Sequence, residues 1–129
     1  MNQAMDFLTG NKMILIVDDS PISAKMVTQI IQKIRPNVII KSVSGGREAL
    51  QTIANNDYAG VITDLNMPGM DGFELTEKVK QDKPDLPIAL LTATDSDSVV
   101  SRSAAIGVTC LGKPPTNDKL ESFLSSAGV

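Results

Sequence analysis

The stretch Met13-Ile14-Leu15-Ile16-Val17, followed directly by Asp18-Asp19, decides the fold class. The first five residues are rich in branched side chains and apolar at every position. A strand that is apolar on both faces is typical of a parallel sheet covered by helices on both sides. Ser20-Pro21 then supplies an N-cap and a first helical residue. The chain is therefore predicted to pass from a buried strand into a helix within a few residues.

The same order recurs along the chain. Further strands are predicted at 38–43, 61–64, 88–92 and 108–111, each followed by a helical pattern. The helix after 88–92, which is the fourth along the chain, is predicted to be polar and serine-rich over 95–106. The stripe of the first helix that is predicted to face the core contains Ile22, Met26, Val27, Ile30, Ile31 and Ile34. Five strands alternating with helices predict an α/β fold, a doubly wound five-stranded parallel sheet with helices on both faces.

Composition excludes several classes of function. The chain has 129 residues, with 42% hydrophobic and 21% charged residues, which fits a single globular domain. A net charge of −3 favours neither nucleic acid nor an anionic membrane as a partner. One cysteine and no histidine exclude a disulfide framework, a Cys/His zinc site and an internal histidine base. Without a membrane-length apolar run or a secretion signal, we expect a cytoplasmic protein.

Polar residues gather where the predicted strands end. Asp18 and Asp19 end the first strand, Asp64 the third and Thr92 the fourth, and Lys113 follows the fifth. Parallel strands bring these residues to one edge of the sheet, where crowded carboxylates repel unless a hard cation such as Mg²⁺ offsets them. A hydroxyl and an ammonium beside them suit phosphoryl oxygens. Singly, each residue also fits a cap, a turn or a surface charge; together they favour a phosphate and magnesium site.

Four motifs then indicate a family. Val17-Asp18-Asp19, residues 64–72 (DLNMPGMDG), Leu91-Thr92-Ala93 and Lys113-Pro114 resemble the receiver domain of two-component response regulators. The resemblance runs from about Lys12 to Gly128. It implies a flavodoxin-like sheet of order 2-1-3-4-5, with residues 1–11 as an N-terminal tail and 12–129 as the receiver domain.

The resemblance also implies a mechanism. A sensor histidine kinase or a phosphotransfer protein would donate a phosphoryl group to Asp64. Mg²⁺ would be bound by Asp19, Asp64 and the backbone carbonyl of Asn66, with Asp18 acting mainly through metal-bound water. Lys113 and Thr92 would each contact a phosphoryl oxygen. The chain would not be an enzyme beyond its own phosphorylation and dephosphorylation.

The output side departs from the family pattern at one residue. Phosphorylation is expected to move Thr92, Lys113 and then the fourth helix, whose segment 95–103 is suited to movement because it offers little apolar area. The signal would pass to a downstream protein or to a second copy through the fourth helix, fifth strand and fifth helix, without direct nucleic-acid or membrane contact. An inward-turning aromatic usually takes part in that change. Cys110 stands in its place, and because a thiol is too small to make the same displacement, signalling is expected to rely more on backbone shifts.

Four alternatives remain open. A flavin-binding protein needs a phosphate loop after the first strand, where Asp18 and Asp19 would repel phosphate, and aromatic residues are only 3% of the chain. An aspartate-nucleophile phosphatase needs a second acid two residues after its nucleophile, and Ser20 stands there. A phosphorylation-independent receiver-like module is compatible with Cys110. If Val129 is not the natural end, the chain is the receiver part of a longer regulator whose effector domain has been removed.

Overall fold

The computed structural model describes residues 12–93 and 96–129. Five strands alternate with five helices within these ranges: β1 (Met13–Val17), α1 (Pro21–Ile34), β2 (Ile39–Val43), α2 (Gly46–Asn55), β3 (Gly60–Asp64), α3 (Gly72–Asp82), β4 (Ile88–Thr92), α4 (Asp97–Ala105), β5 (Thr109–Gly112) and α5 (Asn117–Ser126). The predicted tail, residues 1–11, lies outside the described residues.

The strands form one parallel sheet of order β2-β1-β3-β4-β5. The predicted doubly wound fold and strand order are therefore confirmed. Every residue of β3 and β4 is buried, whereas the edge strands β2 and β5 are partly exposed. All five strands point the same way, so their carboxyl ends share one edge of the sheet.

The alternation of side chains along β1 divides the core into two layers. Leu15 and Val17 pack with apolar residues of α2 and α3 on one face. Ile14 and Ile16 pack with apolar residues of α1 and α5 on the other. This explains why the strand is apolar at every position: both faces are covered by helices.

The predicted stripe of α1 is wrong at two positions. Val27 and Ile31 are buried as expected, and Ala24 joins them. Ile22 is 78% exposed and Met26 is 43% exposed. At 100° per residue these two side chains turn away from the stripe centred on Val27 and Ile31. The sequence offered more apolar positions than one helical face can bury.

Local capping residues fix where the helices begin. The side chain of Ser20 accepts a hydrogen bond from the Ser23 amide, as predicted for the start of α1. Asp71 and Glu74 form a capping box at the start of α3. The cap of α4 is Ser96, and the helix begins at Asp97, two residues later than predicted. β5 spans 109–112 and is shifted one residue from the prediction.

Candidate functional site

Asp18 lies at the end of β1 with its side chain fully buried. Its backbone amide donates to the carbonyl of Val43, which extends the pairing with β2. The amide of Ser20 donates to its Oδ1 at 2.9 Å. Its Oδ2 has no hydrogen-bond partner within the described residues. A buried carboxylate oxygen without a donor is costly, so this atom is suited to a cation.

Asp64 ends β3 and faces Asp18 across the sheet edge. The Lys113 ammonium lies 3.3 Å from Asp64 Oδ2 and 3.6 Å from Asp18 Oδ2. The side chain of Asp64 is 9% exposed and that of Lys113 is 26% exposed. One partly shielded cation therefore sits between two carboxylates from different strands.

Opposing effects act on the pKa of Asp64, and their net result raises it above the ordinary value of 3.8. Burial is the largest effect and raises the pKa, since it disfavours the charged carboxylate. The positive charge of Lys113 lowers it, and the negative charge of Asp18 raises it. Hydrogen bonds from Lys113 and from the Asn66 amide lower it further. Burial, more than the neighbouring negative charge, therefore keeps the pKa of Asp64 raised.

Asp19 completes a cluster of acids with Asp18 and Asp64. One oxygen from each of the three lies within 4.8 Å of the others. Asp18 and Asp64 are buried, whereas Asp19 is exposed at the rim. Carboxylate oxygens at this spacing, one of them without a donor, are a donor set that fits Mg²⁺. The acids predicted as metal ligands are thus brought together.

The remaining predicted residues lie at the same edge. Thr92 is the last residue of β4, is 2% exposed, and pairs in register with Gly112. Gly112 directly precedes Lys113, whose peptide bond to Pro114 is cis. Asn66 is exposed at the start of the loop after β3. Their contacts with metal or phosphate stay predictions.

Two residues to which the sequence analysis gave no individual role, Thr63 and Gly72, touch the backbone of Asp64. The hydroxyl of Thr63 donates to the carbonyl oxygen of Asp64 at 3.0 Å. Gly72 packs so closely that a Cβ built on it would lie 2.7 Å from that same oxygen. A glycine directly after the Asp71 cap was a usable signal. Glycine is a poor helix former, so its place in the first turn of a helix indicates that a side chain would not fit there.

A hollow of about 380 Å³ lies between α4 and β5. Cys110 and Val108 line it from the strand side, Val100 and Ala104 from α4, and Lys119 from α5. Cys110 is partly exposed. The thiol thus opens onto the surface that the sequence analysis assigned to output.

The helix α4 buries little of its surface against the rest of the fold. Ser103 is its only buried residue. The guanidinium of Arg102 stacks 4.3 Å from the ring centroid of Phe73 and contacts Glu77 at 3.2 Å. Both partners belong to α3, so Arg102 links the helix that follows Thr92 to the helix that follows Asp64.

Comparisons with known proteins agree with this geometry. The family model described as the response regulator receiver domain matches residues 14–125. The chain is 36% identical over 113 residues to the sensor protein EvgS of Escherichia coli K12, covering 87% of this chain and 9% of that protein. It is 33% identical over 114 residues to the sensor histidine kinase RcsC of Salmonella typhi, covering 88% of this chain and 12% of that protein. The chain thus spans only about a tenth of these relatives.

A solved structure gives the same result for the fold. The chemotaxis protein CheY4 of Vibrio cholerae superposes with a TM-score of 0.79 at 30% identity, covering 90% of this chain and 98% of that one. Within residues 12–93 and 96–129, no helix is long and apolar enough to cross a membrane.

Proposed function

Because this chain belongs to the response regulator receiver domain family, a signalling family of two-component systems, we propose that it is a phosphorylation-dependent switch with Asp64 as acceptor. Residues 12–129 form the receiver domain in this proposal, preceded by a tail at 1–11. The protein acts in the cytoplasm. It receives a phosphoryl group from a sensor histidine kinase or a phosphotransfer protein in a phosphorelay, and passes the signal by protein contact.

One observation carries the proposal. Three carboxylates and one ammonium meet at the edge of the sheet, with Lys113 Nζ 3.3 Å from Asp64 Oδ2. A structural ion pair needs one acid, whereas this pocket buries two and leaves Asp18 Oδ2 without a hydrogen-bond donor. The excess negative charge fits a site built to be completed by a cation and a phosphoryl group.

The chemistry follows from the position of Asp64. A carboxylate oxygen of Asp64 attacks the phosphorus of a phosphohistidine in line. The new O–P bond forms as the P–N bond breaks, and the electron pair returns to the imidazole nitrogen of the donor. Water later attacks the acyl phosphate and releases inorganic phosphate, which restores the carboxylate. The donor histidine lies on the partner, which agrees with the absence of histidine from this chain.

The residues around Asp64 neutralise the charge of the phosphoryl group and position it during transfer. Receiver domains generally bind Mg²⁺; here Asp19, Asp64 and the Asn66 carbonyl would hold it, with Asp18 beyond a bound water, and it would supply neutralisation of phosphoryl charge. Lys113 keeps one positive charge beside Asp64 throughout. Thr92 donates its hydroxyl to a phosphoryl oxygen. Catalysis is positioning and charge neutralisation, as expected of phosphoryl transfer.

The donor protein reaches Asp64 over the start of α1. Ile22 and Met26 are exposed apolar side chains one helical turn apart, and α1 begins directly after the acidic pair. A partner that presents phosphohistidine to Asp64 must cover this rim. Burying two such side chains favours association, which accounts for their exposure in the free protein.

The output surface is formed by α4, β5 and α5, and its occupant is a downstream protein or a second copy. Cys110 lines the hollows that β5 forms with α4 and with α5, and it stands where the family usually has an aromatic residue. A thiol is too small to reproduce the displacement of an aromatic ring. The signal therefore depends on shifts of α4 relative to α3 and β5.

A phosphorylation-independent interaction module is the second candidate, and Cys110 is the observation that favours it. A third reading makes the chain the receiver part of a longer regulator, since it matches only 9% and 12% of the two sensor proteins. Both alternatives keep the same fold. In the first, phosphorylation is not needed for partner binding; in the second, the phosphorylated receiver acts on another part of the same protein.

Intact-mass measurement after incubation with a small acyl phosphate and Mg²⁺ tests the proposal. We expect one phosphoryl adduct in the native chain and none in Asp64→Asn. Asp118→Asn is the matched control, since Asp118 is an exposed acid on α5, and it keeps the adduct. An unmodified native chain, or an adduct that persists in Asp64→Asn, would overturn the assignment.

A further inference from the structure

Two buried residues, Thr63 and Gly72, contact the backbone of Asp64. The hydroxyl of Thr63, which is fully buried, donates to the Asp64 carbonyl oxygen at 3.0 Å. Gly72, the first residue of α3, packs on the same carbonyl. Its amide donates to the carbonyl of Leu65 at 2.8 Å. The start of α3 is thus docked on the strand end that carries Asp64.

The space at Gly72 leaves no room for a side chain. A Cβ there would lie 2.7 Å from the Asp64 oxygen and 3.0 Å from the Cα of Leu65. Carbon–oxygen contacts are ordinarily about 3.3 Å or longer, so one of the two groups would have to move by about 0.6 Å. The capping box of Asp71 and Glu74 keeps the first turn of α3 in shape. The first residue of α3 and the Asp64 carbonyl would therefore have to move relative to each other, and the Leu65 carbonyl bonded to Gly72 would be drawn into that change.

Such a displacement matters because the contacts of Asp64 come from separate segments. Lys113 approaches from the loop after β5, and the Asn66 amide from the loop after β3. Lys113 lies on a segment separate from α3, whereas the Asn66 amide belongs to the same peptide unit as the Leu65 carbonyl that accepts from Gly72. A shift of Asp64 changes its distance to both.

We propose that Gly72 and Thr63 are positioning residues for the phosphoacceptor: they fix the Asp64 backbone so that its carboxylate meets Lys113, the Asn66 amide and the metal ligands together. This inference rests on the proposed function. Gly72 acts by lacking a side chain, and Thr63 acts by holding the carbonyl that Gly72 faces.

Gly46 provides a matched control for Gly72. It is the first residue of α2, it is buried, and a Cβ there would also be crowded, at 2.7 Å. The crowding atoms are Sδ of Met70 at 2.7 Å and its Cβ and Cγ at 3.0 Å, all of them side-chain atoms. Gly46→Ala therefore reproduces the helix position and the added methyl without pressing on Asp64.

The experiment compares Gly72→Ala with Gly46→Ala in three measurements: the rate of adduct formation from a small acyl phosphate, Mg²⁺ affinity by calorimetry, and the Asn66 amide proton shift in metal-free protein. A misplacement near 1 Å costs on the order of a hundredfold in rate, so we expect Gly72→Ala to lose at least about tenfold. Its Mg²⁺ affinity falls and the Asn66 resonance moves. Gly46→Ala stays near the native chain in all three.

The variant Gly72→Ala with Leu90→Val separates positioning from core packing. The added Cβ also meets Leu90 Cδ2 at 2.9 Å, and the shorter valine removes that contact. We expect the defect to persist, because the clash with the Asp64 carbonyl remains. Full recovery in the double variant, with Leu90→Val alone as reference, would show that Gly72 serves packing only.

Thr63 carries the test if Gly72→Ala does not fold. Thr63→Val keeps the shape and removes the hydroxyl, whereas Thr63→Ser keeps the hydroxyl. We expect Thr63→Val to slow adduct formation about fivefold and shift the Asn66 resonance, and Thr63→Ser to restore both. Native behaviour in Thr63→Val would overturn the inference. A native chain that forms no adduct would instead overturn the proposed function.

Discussion

The ammonium of Lys113 lies 3.3 Å from Asp64 and 3.6 Å from Asp18, so a single positive charge serves two buried carboxylates. The arrangement is short of one positive charge even before Asp19 is counted. An acceptor for a group as negative as phosphate would be expected to carry surplus positive charge. The deficit is understood if a divalent cation belongs to the working site.

Mg²⁺ should stabilise the folded protein. It relieves the repulsion among the three acids and binds the native state only, so at a hundredfold excess over its dissociation constant we expect a melting temperature about 5 °C higher or more. Differential scanning calorimetry with and without millimolar Mg²⁺ measures this. Asp18→Asn keeps an oxygen for the Ser20 amide but removes the charge, and should shrink the shift. An unchanged melting temperature in the native chain would contradict the metal site.

Removing the charge of Asp64 should stabilise the metal-free protein at neutral pH. The pKa of Asp64 is raised in the folded state, so this carboxyl favours folding below its ordinary value of 3.8, and that contribution is lost as pH rises through the raised value. Asp64→Asn does not titrate and avoids this loss. We expect its melting temperature to be about 2–4 °C higher at pH 7.

The advantage of Asp64→Asn should shrink as the pH falls. Below pH 3.8 the carboxyl of Asp64 is protonated in both the folded and the unfolded protein. Its titration then no longer contributes to the difference in stability between Asp64→Asn and the native chain. Denaturant titrations at several pH values from 7 to 3 measure the difference. A difference that stays constant over this range would show that burial does not raise the pKa of Asp64.

The Lys113→Ala variant should separate phosphorylation from output. Lys113 lowers the pKa of Asp64, so its removal raises that pKa further and slows transfer. Some adduct should still form, because Asp64 and the other acids remain. Adduct formation by mass and partner or self-association by light scattering measure the two effects. Undiminished association after phosphorylation would show that Lys113 is not part of the switch.

The α1 rim should matter for protein donors only. Ile22→Ser should lower transfer from a phosphohistidine-bearing protein by about tenfold, because it removes apolar area from the contact. Phosphorylation by a small acyl phosphate should be unchanged. Val100→Ser is the control, since Val100 is another exposed apolar residue, 48% exposed, but lies on α4. Equal losses in both variants would argue against a donor surface on α1.

The contact of Arg102 with α3 should hold α4 in place. Arg102→Ala removes the stacking on the buried Phe73 ring and the ion pair with the exposed Glu77 side chain. We expect the Cys110 thiol, which lines the hollow beside α4, to react about two to five times faster with a neutral thiol reagent. Arg47→Ala, on α2, should leave this rate unchanged. Equal rates in Arg102→Ala and the native chain would show that other contacts fix α4.

The sequence predicted the sheet well because the central strands are apolar on both faces. The order of strands followed from the resemblance, and the acids at strand ends were predicted to meet because parallel strands end at a common edge. The α1 stripe was wrong at Ile22 and Met26, since one helical face cannot bury every apolar residue and exposed apolar residues are common at protein surfaces.

Other features required three-dimensional coordinates. The donor-free oxygen of Asp18 depends on how the Ser20 amide engages its other oxygen. The close approach of Gly72 depends on the angle at which α3 meets β3, which no periodicity encodes. The contact of Arg102 with Phe73 joins residues of two helices whose relative placement is set by packing.

The parallel sheet has a consequence for how this unit combines with other modules. All the candidate chemistry lies at the carboxyl edge, whereas the turns entering β2, β3, β4 and β5 lie at the opposite pole. Those turns contribute none of the residues proposed for phosphate or metal. A linker, an inserted loop or a fused domain attached at that opposite edge would leave the phosphorylation site undisturbed. This suits a domain that is combined with different partner domains in larger proteins.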